Sequence, residues 1–258
     1  MIRTFIDSKI YISLAAVFLS LETQVLLGLN PKFHPYLCLI FFATLFQYNL
    51  PRLMVKSFSK NRQMAVFMLS FCIMGFLAFI VMAKKEVLLA LIPIGALSTF
   101  YSMPFIKIRE IPYLKIFVIA LVWSLATVSL PAVYSGIHNE LHLYLLLERF
   151  FFIFAITIPF DIRDMAMDKK YGLKTIPMLL NERYSLYLSY FSLLLFFLIS
   201  MTHNKPWYSW AMVVSTLITF FILASNNLKK HPLYYEGLLD GCMILQGALT
   251  CFGSLNQP

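Results

Sequence analysis

Long, unbroken apolar runs alternate along the chain with short polar segments. Nine runs stand out, at about 10–28, 35–50, 64–83, 86–104, 113–134, 142–160, 184–201, 207–225 and 233–253. Most are close to the roughly 20 residues a helix needs to cross a hydrocarbon core, although the second is short. Apolar positions within a run are contiguous and show no period of two, so the predicted elements are helices and not the strands of a barrel. Prolines punctuate the ends of the runs, at Pro31, Pro35, Pro51, Pro104, Pro112, Pro131, Pro206 and Pro232, where a helix tolerates them best. No linker, low-complexity tract or second domain interrupts the pattern, so residues 1–258 are expected to form one helical domain.

Composition agrees with a lipid solvent. Hydrophobic residues make up 60% of the 258 positions and charged residues 13%, against about 45–50% and 25% in an ordinary soluble domain. A soluble globule needs a charged skin, whereas a bilayer supplies apolar solvent and admits helices that satisfy their own backbone groups. The first run follows a charged start, Met1 to Lys9, that could belong to a signal peptide. No small-x-small cleavage site closes it and Glu22-Thr23-Gln24 lies inside it, so it is expected to be a retained helix.

The charges are distributed unevenly. With the N-terminus placed in the cytoplasm and nine crossings, 16 of the 21 Lys and Arg residues fall on the cytoplasmic side. That is the positive-inside pattern. The net charge of +9 then reads as topology and contact with anionic lipid, not as a nucleic-acid footprint, which would need a basic soluble face. Cys38, Cys72, Cys242 and Cys251 sit singly in apolar runs, with no CxxC pair or Cys/His cluster, and are expected to be packing residues.

The most informative stretch is Asp161-Ile-Arg-Asp164-Met-Ala-Met-Asp168, followed by Gly172-Leu-Lys174-Thr175-Ile-Pro177, at the end of the sixth run. Carboxylates at i, i+3 and i+7 fall within about 60° of one another on a helix. They repel unless something positive lies against them. Such hard oxygen ligands suit Mg²⁺, which takes one or two carboxylates and completes its octahedron with water and substrate phosphates. A solvated acidic helix end beside Lys169 and Lys170 is the plainer alternative.

Across Asp161 to Pro177 the sequence resembles the second signature of the UbiA superfamily of intramembrane prenyltransferases, roughly D-x-x-D-x-x-x-D-x-x-x-G-x-[KR]-T-[LI]-P. Phe100-Tyr101-Ser102-Met103-Pro104, with Lys107 and Arg109, resembles that family's Tyr-x-x-Pro and basic loop. The resemblance implies an all-α polytopic membrane protein, about nine transmembrane helices around a central cavity. It also implies transfer of a prenyl group from a prenyl diphosphate to a lipophilic, aromatic or other, acceptor. Carried over by position, Asp161, Asp164 and Asp168 would be the metal carboxylates. Lys107, Arg109 and Lys174 would contact diphosphate, and Tyr101 would line the cavity near the reacting carbon. The site would face the cytoplasm, as in a bacterial inner membrane, with membrane lipid around it and neither nucleic acid nor an obligate protein partner involved.

The family's first signature, N-D-x-x-D-x-x-x-D, is degenerate here. Asn49 stands, but the three acids would fall at Leu50, Leu53 and Ser57. In their place Asn49, Arg52 and Lys56 form a polar, basic stripe with the same i, i+3, i+7 spacing. Two readings follow. Asn49, Arg52 and Lys56 bind the diphosphate directly while the second motif keeps one Mg²⁺. Alternatively, Arg52 and Lys56 neutralise Asp164 and Asp168 by salt bridges, leaving a non-catalytic isoprenoid-binding or interaction protein. Positive-inside anchoring is the plainest role for the same residues. Retained prenyl-diphosphate chemistry is the favoured expectation.

Glu22, Asp240 and Gln246 lie within apolar runs, where an ionisable group is a functional candidate by default. The five His residues lie near run ends and are read as interface residues. A transporter would spread charge through the bilayer; here the charges gather near one face. No Ser/His/Asp triad or Gly-rich phosphate loop is present.

Overall fold

The structure is a computed structural model describing residues 2–53, 60–102, 111, 113–137, 140–170, 172–203 and 205–255, with the backbone alone for 60–62 and 102. No strand occurs among the described residues. Helices α1 (Ile2–Asp7), α2 (Ile10–Leu26), α3 (Pro35–Leu53), α4 (Lys60–Ile80) and α5 (Lys85–Ser102) lead the chain. α6 (Leu114–Ser124) runs through a π-helical turn at Leu125–Ser129 into α7 (Leu130–Ser135). Then come α8 (Glu140–Lys170), α9 (Ile176–Met201), α10 (Pro206–Ala224) and the short α11 (Asn226–Lys229), and a second π-helical turn, Tyr234–Leu239, opens into α12 (Asp240–Leu255).

Each apolar run of the sequence coincides with one of these rods. Six stretches among the described residues are long and apolar enough to cross a membrane: Gln63–Ile80, Leu114–Ser135, Glu140–Lys170, Ile176–Met201, Pro206–Ala224 and Tyr234–Leu255. α2 is apolar but shorter. Large apolar side chains such as Phe67, Met74, Leu77, Trp210 and Phe221 stand exposed on the outer faces. In water that surface would be an association liability; in lipid it is the solvated side.

One continuous core runs from Ile12 on α2 to Met243 on α12. α2 and α12 approach so closely that a Cβ on Gly247 would collide with the Phe18 carbonyl oxygen. Cys38, Cys72 and Cys242 are buried, Cys251 is half-buried, and none of the four is in a disulfide among the described residues.

α8 is the spine of the molecule. Pro159 lies inside it and has no N–H to offer the carbonyl of Ala155, one turn earlier. Ser189 of α9 supplies the missing donor, its hydroxyl reaching the Ala155 oxygen at 2.6 Å. The helix therefore continues through the proline and carries the acidic motif beyond it. At its end Gly172 adopts φ 70°, a left-handed conformation that glycine takes without steric cost. The N–H of Leu173 then closes onto the Asp168 carbonyl at 2.9 Å.

A second buried polar group ties the other half of the bundle. Glu22 on α2, with no solvent exposure, pairs with Arg149 on α8 at 2.8 Å. Gln246 on α12 donates to the same carboxylate at 2.9 Å. The adjacent Glu148 accepts from Tyr208 of α10 and meets His203 at 2.7 Å. Charges and dipoles from α2, α8, α10 and α12 thus partly offset one another in a low-dielectric interior, while Arg149 Nε and Nη1 and Gln246 Oε1 stay buried without a hydrogen bond.

Candidate functional site

The acidic motif faces a chamber of about 290 Å³ bounded by α2, α3, α6, α8 and the start of α12. Its charged walls are Lys9, Lys115, Asp161, Arg163, Asp164, Glu236 and Asp240, and its apolar walls include Ile12, Ile119, Trp123, Ile153, Phe160 and Met243. Lys115 is central. Its ammonium lies 2.7 Å from Asp161 Oδ1 and 3.1 Å from Asp168 Oδ2, so one cation spans two turns of α8. Backbone chemistry puts it there. Tyr113 enters α6 in a left-handed conformation, φ 65°, and its N–H donates to the Lys174 carbonyl at 2.9 Å. The start of α6 is thereby fastened to the corner between α8 and α9.

Asp161 is 1% exposed, and its Oδ2 is buried without a hydrogen bond. Asp164 also faces the chamber and is held by its neighbour Arg163 through Nε at 2.7 Å and Nη2 at 3.1 Å. The Arg163 guanidinium in turn lies over the Tyr235 ring, 4.7 Å from its centre. Lys9 pairs with Glu236 at 3.1 Å. Among the described residues no three Asp, Glu, His or Cys side chains converge closely enough to hold a metal ion unaided. Two carboxylates presented to one chamber, one with an orphaned buried oxygen, do fit a cation that draws its remaining ligands from water and phosphate.

Beside the chamber lie two apolar cavities. One, of about 200 Å³, is walled by Gln47, Tyr48, Tyr101, Val118 and Trp123. The other, of about 90 Å³, lies among Ile40, Leu91, Ile94, Gly95, Val122 and Ala126. Tyr48 and Trp123 line both cavities and the charged chamber. The Trp123 indole N–H donates to the Tyr48 hydroxyl at 3.3 Å, so this aromatic pair separates the charged space from the greasy space.

The expected site residues divide into three groups. Asp161 and Asp164 meet in the chamber, Asp168 adjoins it through Lys115, and Tyr101 lines the apolar cavity next to it. Asn49, Arg52 and Lys174 lie elsewhere. Asn49 is fully buried, and its amide donates to the Leu45 carbonyl at 2.9 Å and the Ser8 carbonyl at 3.2 Å. Arg52 Nη1 donates to the Asp7 carbonyl at 2.5 Å. Both residues therefore pin α1 to α3, and neither is among the residues that line the charged chamber. The side chain of Lys174 is exposed, and only its carbonyl is engaged. Lys56, Lys107 and Arg109 lie outside the described residues.

Among the described residues Arg52 does not pair with the acids: Asp168 is held by Lys115 and Asp164 by Arg163, while Lys56, the other cation expected there, lies outside the described residues. In the sequence Lys115 is one of the 16 inside-positive charges and nothing more. A helical spacing rule sees one helix at a time and could not pair α6 with α8. The signal that was available is its place two residues into an apolar run, where a lysine needs a partner.

Comparison with known proteins bears on this geometry. No curated protein sequence matches the chain. Several solved structures share its fold. A UbiA homologue from Aeropyrum pernix K1 superposes with a TM-score of 0.63 at 14% identity, covering 96% of this chain and 97% of that one. A structure of digeranylgeranylglyceryl phosphate synthase gives 0.60 at 16% identity, covering 98% and 97%. A UbiA homologue from Archaeoglobus fulgidus, bound to GPP and Mg²⁺, gives 0.57 at 15% identity, covering 94% and 99%. At these identities the likeness speaks for the fold alone. The sequence model of the UbiA prenyltransferase family matches residues 52–232, well over half the chain, and the chain belongs to that family.

Proposed function

We propose that the chain transfers a prenyl group from a prenyl diphosphate to a lipophilic acceptor within the membrane, with the charged chamber on the cytoplasmic side. One observation carries the reading: a chamber presenting both acids and cations shares the Tyr48–Trp123 wall with apolar cavities. A prenyl diphosphate has the same division, a multiply charged head on an apolar tail. The relatives bound to GPP or DMAPP with Mg²⁺ make that substrate class the natural one.

Asp161 and Asp164 would hold a single Mg²⁺, with Asp168 steadied by Lys115. Bound there, Mg²⁺ would supply Lewis-acid stabilisation of the charge that grows on the leaving group. The chain's own cations, Lys9, Lys115 and Arg163, stand in the same chamber and stabilise that charge from fixed positions. Tyr48 and Trp123 border the route between head and tail. Their faces are placed to attract an allylic cation as the carbon–oxygen bond breaks. The apolar walls exclude water, which would otherwise hydrolyse the reactive carbon.

A second reading, an isoprenoid-binding protein without catalysis, draws on Lys115, whose ammonium already neutralises two acids of the motif. One experiment separates the two. The purified chain in nanodiscs is titrated with geranyl S-thiolodiphosphate with and without Mg²⁺, then assayed for diphosphate release from geranyl diphosphate. Mg²⁺-strengthened binding with release supports the transferase. Binding without release supports the second reading, and no binding in either condition refutes both.

A further inference from the structure

Asp240 is the one chamber acid with no assigned task. It opens α12 directly after the π-helical turn Tyr234–Leu239, and such turns recur at functional sites. Its carboxylate lines the chamber with Asp161 and Asp164. The other chamber charges are committed: Lys9 to Glu236, Lys115 to Asp161 and Asp168, and Arg163 to Asp164. Among the described residues the Asp240 side chain makes no hydrogen bond or ion pair. The charged groups facing it are Lys9 at the start of α2, Glu236 on the π turn, and Arg163 on α8.

The surroundings hold this residue in place. The Tyr11 hydroxyl donates to the Gly237 carbonyl at 3.0 Å, bracing the π turn. It passes so close to the next residue that a Cβ on Gly241 would lie 2.6 Å from it. A carboxylate inside the bundle that makes no hydrogen bond or ion pair among the described residues is costly to keep, and only the more distant charges of Lys9 and Arg163 favour it.

The proposed reaction, on which this inference rests, releases one proton. The acceptor's nucleophilic atom bonds to the prenyl C1. The C1–oxygen bond breaks with its electron pair leaving on the diphosphate, and the acceptor must give up a hydrogen as H⁺. Asp161, Asp164 and Asp168 are poorly suited to take it, because each is held by a cation. We propose that Asp240 is the catalytic base, accepting that proton on a carboxylate oxygen, and that the acceptor lies between α12 and the Tyr48–Trp123 wall. The acceptor class that follows is one whose reacting position carries an acidic or activated hydrogen, such as a phenol, an activated aromatic carbon or a hydroxyl.

The test uses the full chain. Native membrane vesicles containing wild type, Asp240→Asn or Asp240→Glu are given tritiated geranyl diphosphate and Mg²⁺, and label entering chloroform-extractable product is followed. Binding of geranyl S-thiolodiphosphate to each purified protein reports both folding and the diphosphate site. The expected result is a fall of about 10²–10⁴-fold in kcat for Asp240→Asn. KM for geranyl diphosphate and analogue binding stay within threefold, and Asp240→Glu recovers at least a tenth of the wild-type rate. Asp240→Asn transferring at the wild-type rate overturns the assignment while leaving the transferase reading intact. Equal loss of binding and rate in Asp240→Asn and Asp240→Glu marks a structural residue and also overturns it. Wild-type protein that binds no analogue, or binds it without any transfer, overturns the transferase reading and the base together.

Discussion

Replacing Arg149 by Met isolates the energetics of charge buried in this bundle. Glu22 and Arg149 are 0% and 3% exposed and lie 2.8 Å apart. At an effective dielectric of about 20, two unit charges at that distance attract by roughly 6 kcal/mol. Much of this offsets the cost of removing both ions from water, so the pair adds little net stability. Removing Arg149 alone, however, leaves Glu22 buried with only Gln246 and a long contact from Tyr208, at 3.5 Å, as partners. The expected cost is about 3–5 kcal/mol, a fall in midpoint on the order of 10 °C for a chain of this size. Thermal unfolding in nanodiscs, followed by tryptophan fluorescence at one fixed scan rate, measures it. The double variant Glu22→Gln/Arg149→Met removes both charges and should return to within about 1–2 kcal/mol of wild type. A single variant as stable as wild type, or a double variant no better than the single, would refute the argument.

Lys115→Met should destabilise the ligand-free protein by a comparable few kcal/mol, because Asp161 and Asp168 lose their shared cation. Added Mg²⁺ should raise its melting midpoint more than that of wild type, as seen by the same unfolding assay. Ser189→Ala strands the Ala155 carbonyl opposite Pro159 and should cost about 1–3 kcal/mol. Combining it with Pro159→Ala, which restores the helical N–H, should recover most of that loss. Gly247→Ala drives a methyl group against the Phe18 backbone and should cost about 1–3 kcal/mol or more, read as reduced detergent-solubilised yield and a lower midpoint.

The hydrophobic pattern made the rods legible because lipid imposes nearly the same length on every crossing. It placed the end of the sixth run at residue 160, whereas α8 continues to Lys170. The acidic motif is polar but helical, and hydropathy cannot separate a helix leaving the membrane from a loop. The run beginning at 184 was drawn short for a different reason. α9 includes a break at Asn181, φ 62°, so its first turn belongs to the Gly172–Pro177 corner.

The acid stripe was legible because its three positions share one helix. What opposes it was not. Asn49 and Arg52 repeat the acids' spacing, yet they face α1 and not α8, since spacing fixes an angle on one helix and says nothing of the neighbour. Glu22 and Gln246 stood out singly as intramembrane polar residues, but their convergence with Arg149 depends on packing among three helices. Asp240 was conspicuous for the same reason as Glu22. Only the arrangement around it separates an acid held in an ion pair, as Glu22 is, from one that makes none among the described residues.

The double grip of Lys115 makes the bundle a sensor of its own charge state. Its ammonium holds Asp161 and Asp168, while two residues earlier Tyr113 is fastened to Lys174. The first turn of α6 is thus tethered to the α8–α9 corner by one electrostatic and one backbone link. A multivalent anion entering the chamber competes for the ammonium and weakens the first link, leaving the second as a pivot. In the transferase proposed above, arrival of a diphosphate would therefore loosen the first turn of α6 in the same step. A spectroscopic probe at Ile111, on the exposed approach to α6, should register that event without any reaction taking place.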